Sequence, residues 1–209
     1  VIREGVMGMP RCLMIGSGRD DTRPGTEFEF VTLDIEASRK PDVVSDACRL
    51  PFASESFEAV YASHLLEHIS PRQAGNVLEE WGRVLKPGGE MLILVPNMGY
   101  VAELILSGKG EETVYRAGAG IDITPMDMVY GLPSLPMYHR WGFTRESLAA
   151  RAKAIEWKEA LVYEFRITGP YDRCELRLYG RKKGEASWKG WDLDTSKSSD
   201  PYAIRIKGE

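Results

Sequence analysis

Short apolar runs, each closed by a glycine, an acid or a polar turn, recur along the first half of the chain. Five of them read as strands, over residues 12–15, 28–35, 41–47, 58–63 and 90–96. The runs at 12–15 and 90–96 are continuously apolar, which is typical of strands buried on both faces of a parallel sheet. The pattern therefore predicts a parallel sheet with helices between its strands.

Helical spacing replaces the strand pattern at three places. Ser70, Pro71 and Gln73 predict the start of a helix with a capping box, and the Lys-Pro-Gly-Gly sequence at 86–89 ends it. A second helix is predicted over residues 100–107. A third begins after the capping residue Thr144 and runs to about residue 154, with Phe143 placed to pack on Leu148.

The last regular elements are two strands, roughly 159–167 and 173–179, which are separated by turn residues and predict an antiparallel hairpin. These elements predict one α/β domain over residues 1–183. Within it, the long Gly-, Pro- and Met-containing segment 97–140 is predicted to be a lid or a substrate wall, because long loops in compact domains are usually functional. Residues 184–209 are predicted to be a polar, partly disordered tail.

Composition narrows the function. The 209 residues carry a formal net charge of -4 with acids and bases interspersed, so nothing predicts a nucleic-acid partner. The three cysteines, Cys12, Cys48 and Cys174, are too far apart for a disulfide framework or a zinc motif, which favours a reducing cytoplasm. No apolar run approaches the ~20 residues of a membrane span, so we expect a soluble protein with no membrane partner.

Candidate binding residues fall where predicted strands end. Gly16 and Gly18 follow the first strand, Asp34 lies near the end of the second, Asp46 after the third, and Ser63 ends the fourth. In a parallel sheet these ends share one edge, outside which ligands bind. A carboxylate accepts two hydrogen bonds, so Asp34 suits ribose hydroxyls and Asp46 an adenine amine. The alternative is a tight glycine turn with two solvated aspartates.

The histidines offer candidates for proton transfer. His64 and His68 are one helical turn apart and form a pair that could bind a metal ion, but no third ligand is evident, so the sequence predicts no metal site. His64, just past the fourth strand, and His139, beside the predicted lid, are the candidate bases. A structural role remains open for each.

Three motifs carry a family resemblance. They are Asp46-Ala-Cys-Arg-Leu-Pro-Phe52, Ser56-Phe-Glu-Ala-Val-Tyr-Ala-Ser-His-Leu-Leu-Glu-His68 and Arg83-Val-Leu-Lys-Pro-Gly-Gly89. Over about residues 11–180 the chain resembles the class I S-adenosylmethionine-dependent methyltransferases. The resemblance implies a Rossmann-like, doubly wound sheet of seven strands, mostly parallel, with a C-terminal antiparallel hairpin.

The resemblance also implies S-adenosylmethionine as the cofactor and assigns a set of residues that would border it. They are Gly16, Ser17 and Gly18 at the methionine part, Asp34 at the ribose, Asp46 and Ala47 at the adenine, and Ser63 and His64 beside the methionine end, with Ile35 as a further cofactor-binding residue. Two features depart from the family: Met14 stands where an acid is usual, and residues 19–25 replace most of the helix that normally follows the glycine turn.

The function implied is methyl transfer to a small or medium-sized acceptor, by direct attack on the methyl carbon. Positioning supplies much of the rate in such a reaction, and a base is needed only for a protonated acceptor. A nucleotide-binding oxidoreductase would need a third glycine, which Gly16-Ser-Gly18-Arg-Asp-Asp lacks. A non-catalytic cofactor-binding or scaffold protein of the same fold stays open, as does a homodimer.

Overall fold

One mixed sheet of eight strands organises the molecule. The structure, a computed structural model, describes residues 8–17, 24, 27–116, 120–132, 138–165, 171–186, 190–191 and 200–207. The strands of the sheet are β1 (Arg11–Ile15), β2 (Glu29–Asp34), β3 (Val43–Val44), β4 (Phe57–Ser63), β5 (Leu85–Pro96), β8 (Trp157–Phe165), β9 (Glu175–Lys182) and β10 (Ile204–Lys207). A separate hairpin contains β6 (Tyr115–Arg116) and β7 (Asp122–Ile123).

The strand order in the sheet is β10-β8-β9-β5-β4-β1-β2-β3. Strands β1 to β5 pair in parallel, whereas β8 and β9 form an antiparallel pair that joins β5 through β9. The prediction of a mostly parallel α/β sheet with a C-terminal antiparallel hairpin is confirmed. Because β1 lies between β2 and β4, the strand order reverses at β1: the chain adds β2 and β3 on one side of β1, and β4 and β5 on the other. An open α/β sheet binds its ligands at such a reversal of strand order.

The predicted number of strands was one too low. Ile204–Lys207 lies in the segment predicted as a polar tail, yet it pairs antiparallel with β8 as the edge strand β10. Ile204 and Ile206 alternate along β10 and pack against the main core, which gives this short strand an apolar face. Two isoleucines in a polar context are too weak a pattern to mark a strand from sequence.

Four α-helices accompany the strands in the part of the chain that the structure describes: α1 (Ala74–Val84), α2 (Met98–Leu106), α3 (Pro125–Tyr130) and α4 (Arg145–Ala152). Helix α1 begins at Ala74 rather than just after Ser70. The backbone carbonyl of Ser70 accepts the N–H groups of Gln73 and Ala74, so residues 70–73 form a turn before the helix and the predicted capping box is absent. At α4 the predicted cap is confirmed, since Thr144 accepts the N–H of Ser147.

The main hydrophobic core lies between one face of the sheet and helices α1 and α4. Fully buried Trp81 of α1 and Leu148 of α4 belong to this core together with Phe143, and the predicted packing of Phe143 on Leu148 stays a prediction. Burying large apolar side chains of this kind stabilises the fold by about 1.5–3 kcal/mol each. The core thereby holds the carboxyl ends of β1, β2 and β4 in fixed positions.

The opposite face of the sheet is covered by a smaller apolar cluster to which the C-terminal segment contributes. Trp191 packs against Phe28 with ring centroids 5.3 Å apart, and its indole N–H donates to the carbonyl of Pro24 at 2.8 Å. Its backbone N–H donates to the buried carboxylate of Glu90 at 2.7 Å. These bonds fix Trp191 to the sheet.

The segment after β5 has an apolar cluster of its own. Val101 and Leu104 of α2 pack with Ile123 of β7 and Met128 of α3. The sequence predicted one helix here, and the structure adds α3 and the β6–β7 hairpin within the described part of the segment. The lid role of residues 97–140 and the domain boundary near residue 183 stay predictions.

Candidate functional site

A pocket of about 460 Å³ opens at the carboxyl ends of the parallel strands. Eight of the nine predicted cofactor-binding residues line it: Gly16, Ser17, Asp34, Ile35, Asp46, Ala47, Ser63 and His64. The ninth, Gly18, lies outside the described residues. The second predicted base, His139, lines the same pocket. The structure therefore brings together Gly16, Asp34, Asp46 and Ser63, whose common location followed from the strand-end argument.

The glycine turn after β1 has a backbone conformation that favours glycine. Gly16 has φ +67°, and a Cβ placed on it would lie 2.9 Å from the side chain of Leu65. The N–H groups of Gly16 and Ser17 both donate to the carbonyl of Leu33 in β2, at 2.8 and 3.3 Å. These bonds hold the turn against the second strand, close to Asp34. Met14, at the position where the family usually has an acid, is 5% exposed and lines the pocket.

Each of the two predicted carboxylates accepts a hydrogen bond from the backbone N–H two residues further along the chain. Asp34, the last residue of β2, is 6% exposed, and its Oδ1 accepts the N–H of Glu36 at 2.9 Å. Its Oδ2 lies 3.9 Å from Nε of Arg39. Asp46 accepts the N–H of Cys48 at 2.8 Å through Oδ1. Such bonds fix the direction of each carboxylate before a ligand arrives, which lowers the entropic cost of binding.

His64 occupies a strained and strongly charged position. It follows β4 with φ 49°, a left-handed conformation that is uncommon for a residue with a side chain. Its Nδ1 lies 3.3 Å from Oε1 of Glu67, and its Nε2 lies 3.5 Å from Oε2 of Glu175. Burial favours the neutral ring, but the two carboxylates outweigh it and raise the pKa of His64 to about 10.

A second group of side chains meets on the same side of the pocket: Glu67, His68 and His139. One potential ligand atom from each lies within 4.8 Å of those of the other two. Nδ1 of His68 is 3.2 Å from the carbonyl oxygen of Tyr138, and Nδ1 of His139 is 2.8 Å from that of Met128. Because a carbonyl only accepts, each Nδ1 carries the proton, and Nε2 of each neutral ring keeps its lone pair.

His68 meets His139 rather than the nearby His64. The two rings that meet are His68 and His139, edge to face with centroids 4.9 Å apart, whereas His64 turns to Glu175 in β9. No sequence pattern indicated Glu175 or the approach of His139, since both contacts join distant parts of the chain.

The segment after β5 contributes one wall of the pocket. Tyr115, Ile123, Met128 and Leu132 line it. Tyr130 and Tyr138 of the same segment are exposed.

Comparison with known proteins gives matches of two kinds. A family model described as "Methyltransferase domain" matches residues 25–93. The demethylmenaquinone methyltransferase of Mycobacterium sp. (strain KMS) is 49% identical over 53 residues, which are 25% of this chain and 22% of that protein. The enzyme of the same name from Mycobacterium tuberculosis (strain ATCC 25618 / H37Rv) is 41% identical over 68 residues, 32% of this chain and 28% of that protein. The chain therefore matches less than a third of the length of these curated relatives.

Solved structures match over most of the chain. A SAM-dependent methyltransferase from Methanosarcina mazei superimposes with a TM-score of 0.58 at 14% identity, covering 86% of this chain and 95% of that one. The chain has the fold of the class I S-adenosylmethionine-dependent methyltransferases. The 1,6-didemethyltoxoflavin-N1-methyltransferase of Burkholderia thailandensis, solved with 1,6-didemethyltoxoflavin and S-adenosylhomocysteine, matches with a TM-score of 0.52 at 18% identity, over 84% and 72% of the two chains.

The resemblance found in the sequence is confirmed, and the matches support S-adenosylmethionine as the cofactor of this methyltransferase fold. The pocket fits that molecule: its volume lies in the range of small-molecule sites, the Gly16 turn lines it, and the carboxylates of Asp34 and Asp46 in its lining can accept hydrogen bonds from a ligand. Among the described residues, no helix is long and apolar enough to cross a membrane.

Proposed function

We propose that this protein transfers a methyl group from S-adenosylmethionine to a small or medium-sized organic acceptor. One observation carries the proposal: the Gly16 turn, Asp34 and Asp46 meet in a single pocket of about 460 Å³ at the reversal point of a methyltransferase fold. In this proposal Asp34 accepts from the ribose hydroxyls, Asp46 accepts from the adenine amine, and Gly16 and Ser17 border the methionine part.

The reaction needs a nucleophile in line with the methyl group in a site that excludes bulk water. The nucleophile's lone pair forms the new bond to carbon while the carbon–sulfur pair returns to sulfur, which leaves S-adenosylhomocysteine. Holding the two reactants in this geometry supplies most of the acceleration, so the chain itself need only bind and orient them. A base is required only when the methyl acceptor carries a proton at the attacking atom.

Of the two histidines predicted as bases, His139 suits the role better. Its Nδ1 contacts the Met128 carbonyl at 2.8 Å, which leaves Nε2 as the atom that takes a proton. His64 has both ring nitrogens against the carboxylates of Glu67 and Glu175. We propose that His64 orders these carboxylates and places positive charge beside the methionine end.

The class of methyl acceptor follows from the pocket and from the relatives. Named relatives act on demethylmenaquinone, by their name, and on 1,6-didemethyltoxoflavin, which are small organic molecules. The wall of this pocket includes Tyr115, Ile123 and Met128, an apolar surface suited to a flat or apolar small molecule. We propose such a molecule as the partner and the cytoplasm as the location.

The first test measures cofactor binding and methyl transfer separately. Isothermal calorimetry with S-adenosylhomocysteine should show one binding site per chain, and labelled S-adenosylmethionine with fractionated metabolite extracts should yield a labelled product. Absence of binding would contradict the proposal. Binding without a labelled product in any fraction would favour the non-catalytic protein of the same fold.

The second test concerns the lid role of the segment after β5. We expect fast amide exchange in α2, α3 and the β6–β7 hairpin of the free protein, and clear protection with S-adenosylhomocysteine bound, because residues of β6, β7 and α3 line the pocket. Strand β5, at the centre of the sheet, should exchange slowly in both states and serves as the internal control. Slow exchange of the whole segment without ligand would show an insertion packed permanently on the domain.

A further inference from the structure

We propose that Glu67, His68 and His139 bind one divalent transition-metal ion of the zinc type at the wall of the pocket. The three residues come from the turn after β4 and from the segment before α4, and all three line the pocket. The site stands on its own geometry, whereas its use in catalysis rests on the proposed methyl transfer.

The donor set is two imidazole nitrogens and one carboxylate. This combination suits zinc and related divalent ions, and three protein ligands leave at least one coordination position open, as in catalytic zinc sites. The three potential ligand atoms lie within 4.8 Å of one another, against about 3.3 Å for a closed tetrahedral site with zinc–nitrogen distances near 2.0–2.1 Å. The three ligand atoms would therefore have to move closer together when the ion binds.

The histidines are already oriented as metal ligands usually are. In protein metal sites a ligating histidine typically donates its other ring N–H to a backbone carbonyl or a carboxylate, which fixes the tautomer and the direction of the ring. His68 and His139 both make this contact through Nδ1, with the carbonyls of Tyr138 and Met128. In both rings Nε2 has no hydrogen-bond partner among the described residues and remains for a ligand.

Glu67 gives the independent observation that points to a cation. Its side chain is 1% exposed, and Oε2 makes no hydrogen bond with the part of the chain that the structure describes. Oε1 has only the ion pair with His64 at 3.3 Å, so Oε2 is left for another cation. A buried carboxylate oxygen without a partner is costly, and coordination to a metal ion removes that cost.

His64 does not belong to this site. Both of its nitrogens face carboxylates, and its second partner, Glu175, lies in β9. His64 and His68, the histidines one helical turn apart for which the sequence predicted no metal site, therefore belong to two different groups. The competing interpretation of the His68–His139 contact is an aromatic pair that only supports the turn after β4.

A metal ion here would select a methyl acceptor with a hydroxyl or enol oxygen. Bound in the open position, that oxygen releases its proton to solvent at a lower pH, as metal-bound water does. The oxygen lone pair then forms the bond to the methyl carbon, and the carbon–sulfur electron pair returns to sulfur. With the metal bound, His139 is a ligand and no imidazole base is needed.

The test is zinc binding by the full chain after removal of metal with a chelator. We expect one zinc ion per chain by calorimetry, and the absorption bands of low-symmetry cobalt when Co²⁺ replaces zinc. Glu67→Gln, His68→Gln and His139→Gln should each weaken zinc binding by about 100-fold or more. Mutation of a residue that only hydrogen-bonds to a metal ligand already lowers metal affinity by about 10–100-fold. Circular dichroism and urea unfolding check that each variant is folded.

Two controls separate this site from others. Glu111→Gln removes an exposed carboxylate and should leave zinc affinity unchanged. His64→Asn removes the neighbouring histidine while keeping a residue that tolerates a positive φ, and it should still bind zinc. Equal zinc affinity in the wild type and all three ligand variants would overturn the site, as would loss of zinc in His64→Asn to the same extent as in His68→Gln.

Failure of this inference and failure of the proposed function give different results. If S-adenosylhomocysteine binds the metal-free protein and zinc does not bind, the metal site is wrong and the cofactor site stands. If zinc binds with the expected variant pattern and S-adenosylhomocysteine does not bind, the metal site stands and the methyltransferase proposal falls.

Discussion

Replacing Asp34 by alanine should weaken S-adenosylhomocysteine binding by at least about tenfold, because each charge-assisted hydrogen bond to a ribose hydroxyl contributes about 1.5–3 kcal/mol. The carboxylate is 6% exposed and fixed by the N–H of Glu36, so it meets a ligand in one orientation. Calorimetry on the purified variant measures the dissociation constant directly. Asp34→Asn, which keeps one acceptor oxygen and loses the charge, should fall between the wild type and Asp34→Ala.

Asp42 provides the matched control for this experiment. Its carboxylate also contacts β2, where it accepts the backbone N–H and the hydroxyl of Thr32 at 2.9 and 2.7 Å, but it does not line the pocket. Asp42→Ala also removes a carboxylate that contacts β2, and it should leave the dissociation constant of S-adenosylhomocysteine unchanged. An unchanged constant in folded Asp34→Ala would show that the ribose is bound elsewhere.

The second large effect is on stability and arises at Glu164 in β8. Its carboxylate is 7% exposed and accepts from Arg173 at 2.8 and 3.1 Å and from Asn97 at 3.0 Å, and it lies 2.6 Å from Arg145. Glu164→Gln keeps the shape of the side chain but leaves two guanidinium groups without this negative charge. Breaking a buried ion pair in this way costs about 3 kcal/mol or more, which corresponds to a fall in Tm of roughly 6–12 °C.

Glu103 is the control, because it contacts the same guanidinium from an exposed position. Its carboxylate lies 3.2 Å from Arg173, and its side chain is 60% exposed. Glu103→Gln should change the free energy of unfolding by less than about 1 kcal/mol, as exposed ion pairs do. Equal losses for the two variants, measured by urea unfolding, would refute the assignment of Glu164 as the centre of the cluster.

The same carboxylate gives a pH dependence of stability. Burial raises the pKa of Glu164, but hydrogen bonds from Arg173 and Asn97 and the charge of Arg145 outweigh burial and hold it below its usual value. Since the pKa is lower in the folded state, the contribution is present above the unfolded value of about 4.3 and is lost as the pH falls through the folded value. The difference in stability between wild type and Glu164→Gln should therefore narrow below about pH 4.

Asn97 connects this cluster to the segment that walls the pocket. It caps α2 by accepting the N–H of Tyr100, and its side-chain amide donates to Glu164 and to the carbonyl of Arg173. The base of the segment is thus tied to the antiparallel end of the sheet. We expect that any closing motion leaves this end in place and is largest near the β6–β7 hairpin.

The parts of this protein that the sequence determined are those that follow from local patterns. Apolar runs closed by glycine or acids gave the parallel strands, and Thr144 gave the start of α4. The common location of Gly16, Asp34 and Asp46 could also be predicted, because parallel strands place their carboxyl ends at one edge of a sheet. For these residues the arrangement of parallel strands was enough to predict that they lie together, without knowledge of their individual contacts.

Other features were decided only by the tertiary structure. The approach of His139 to His68, the ion pair of His64 with Glu175, and the pairing of β10 with β8 all join residues far apart in the chain. Such contacts depend on how the segment after β5 and the C-terminal segment fold back onto the sheet, and no local periodicity encodes that path. The candidate cofactor site could therefore be predicted from the sequence. The proposed metal site could not, because it depends on the folded chain bringing His139 close to His68 and the buried Glu67.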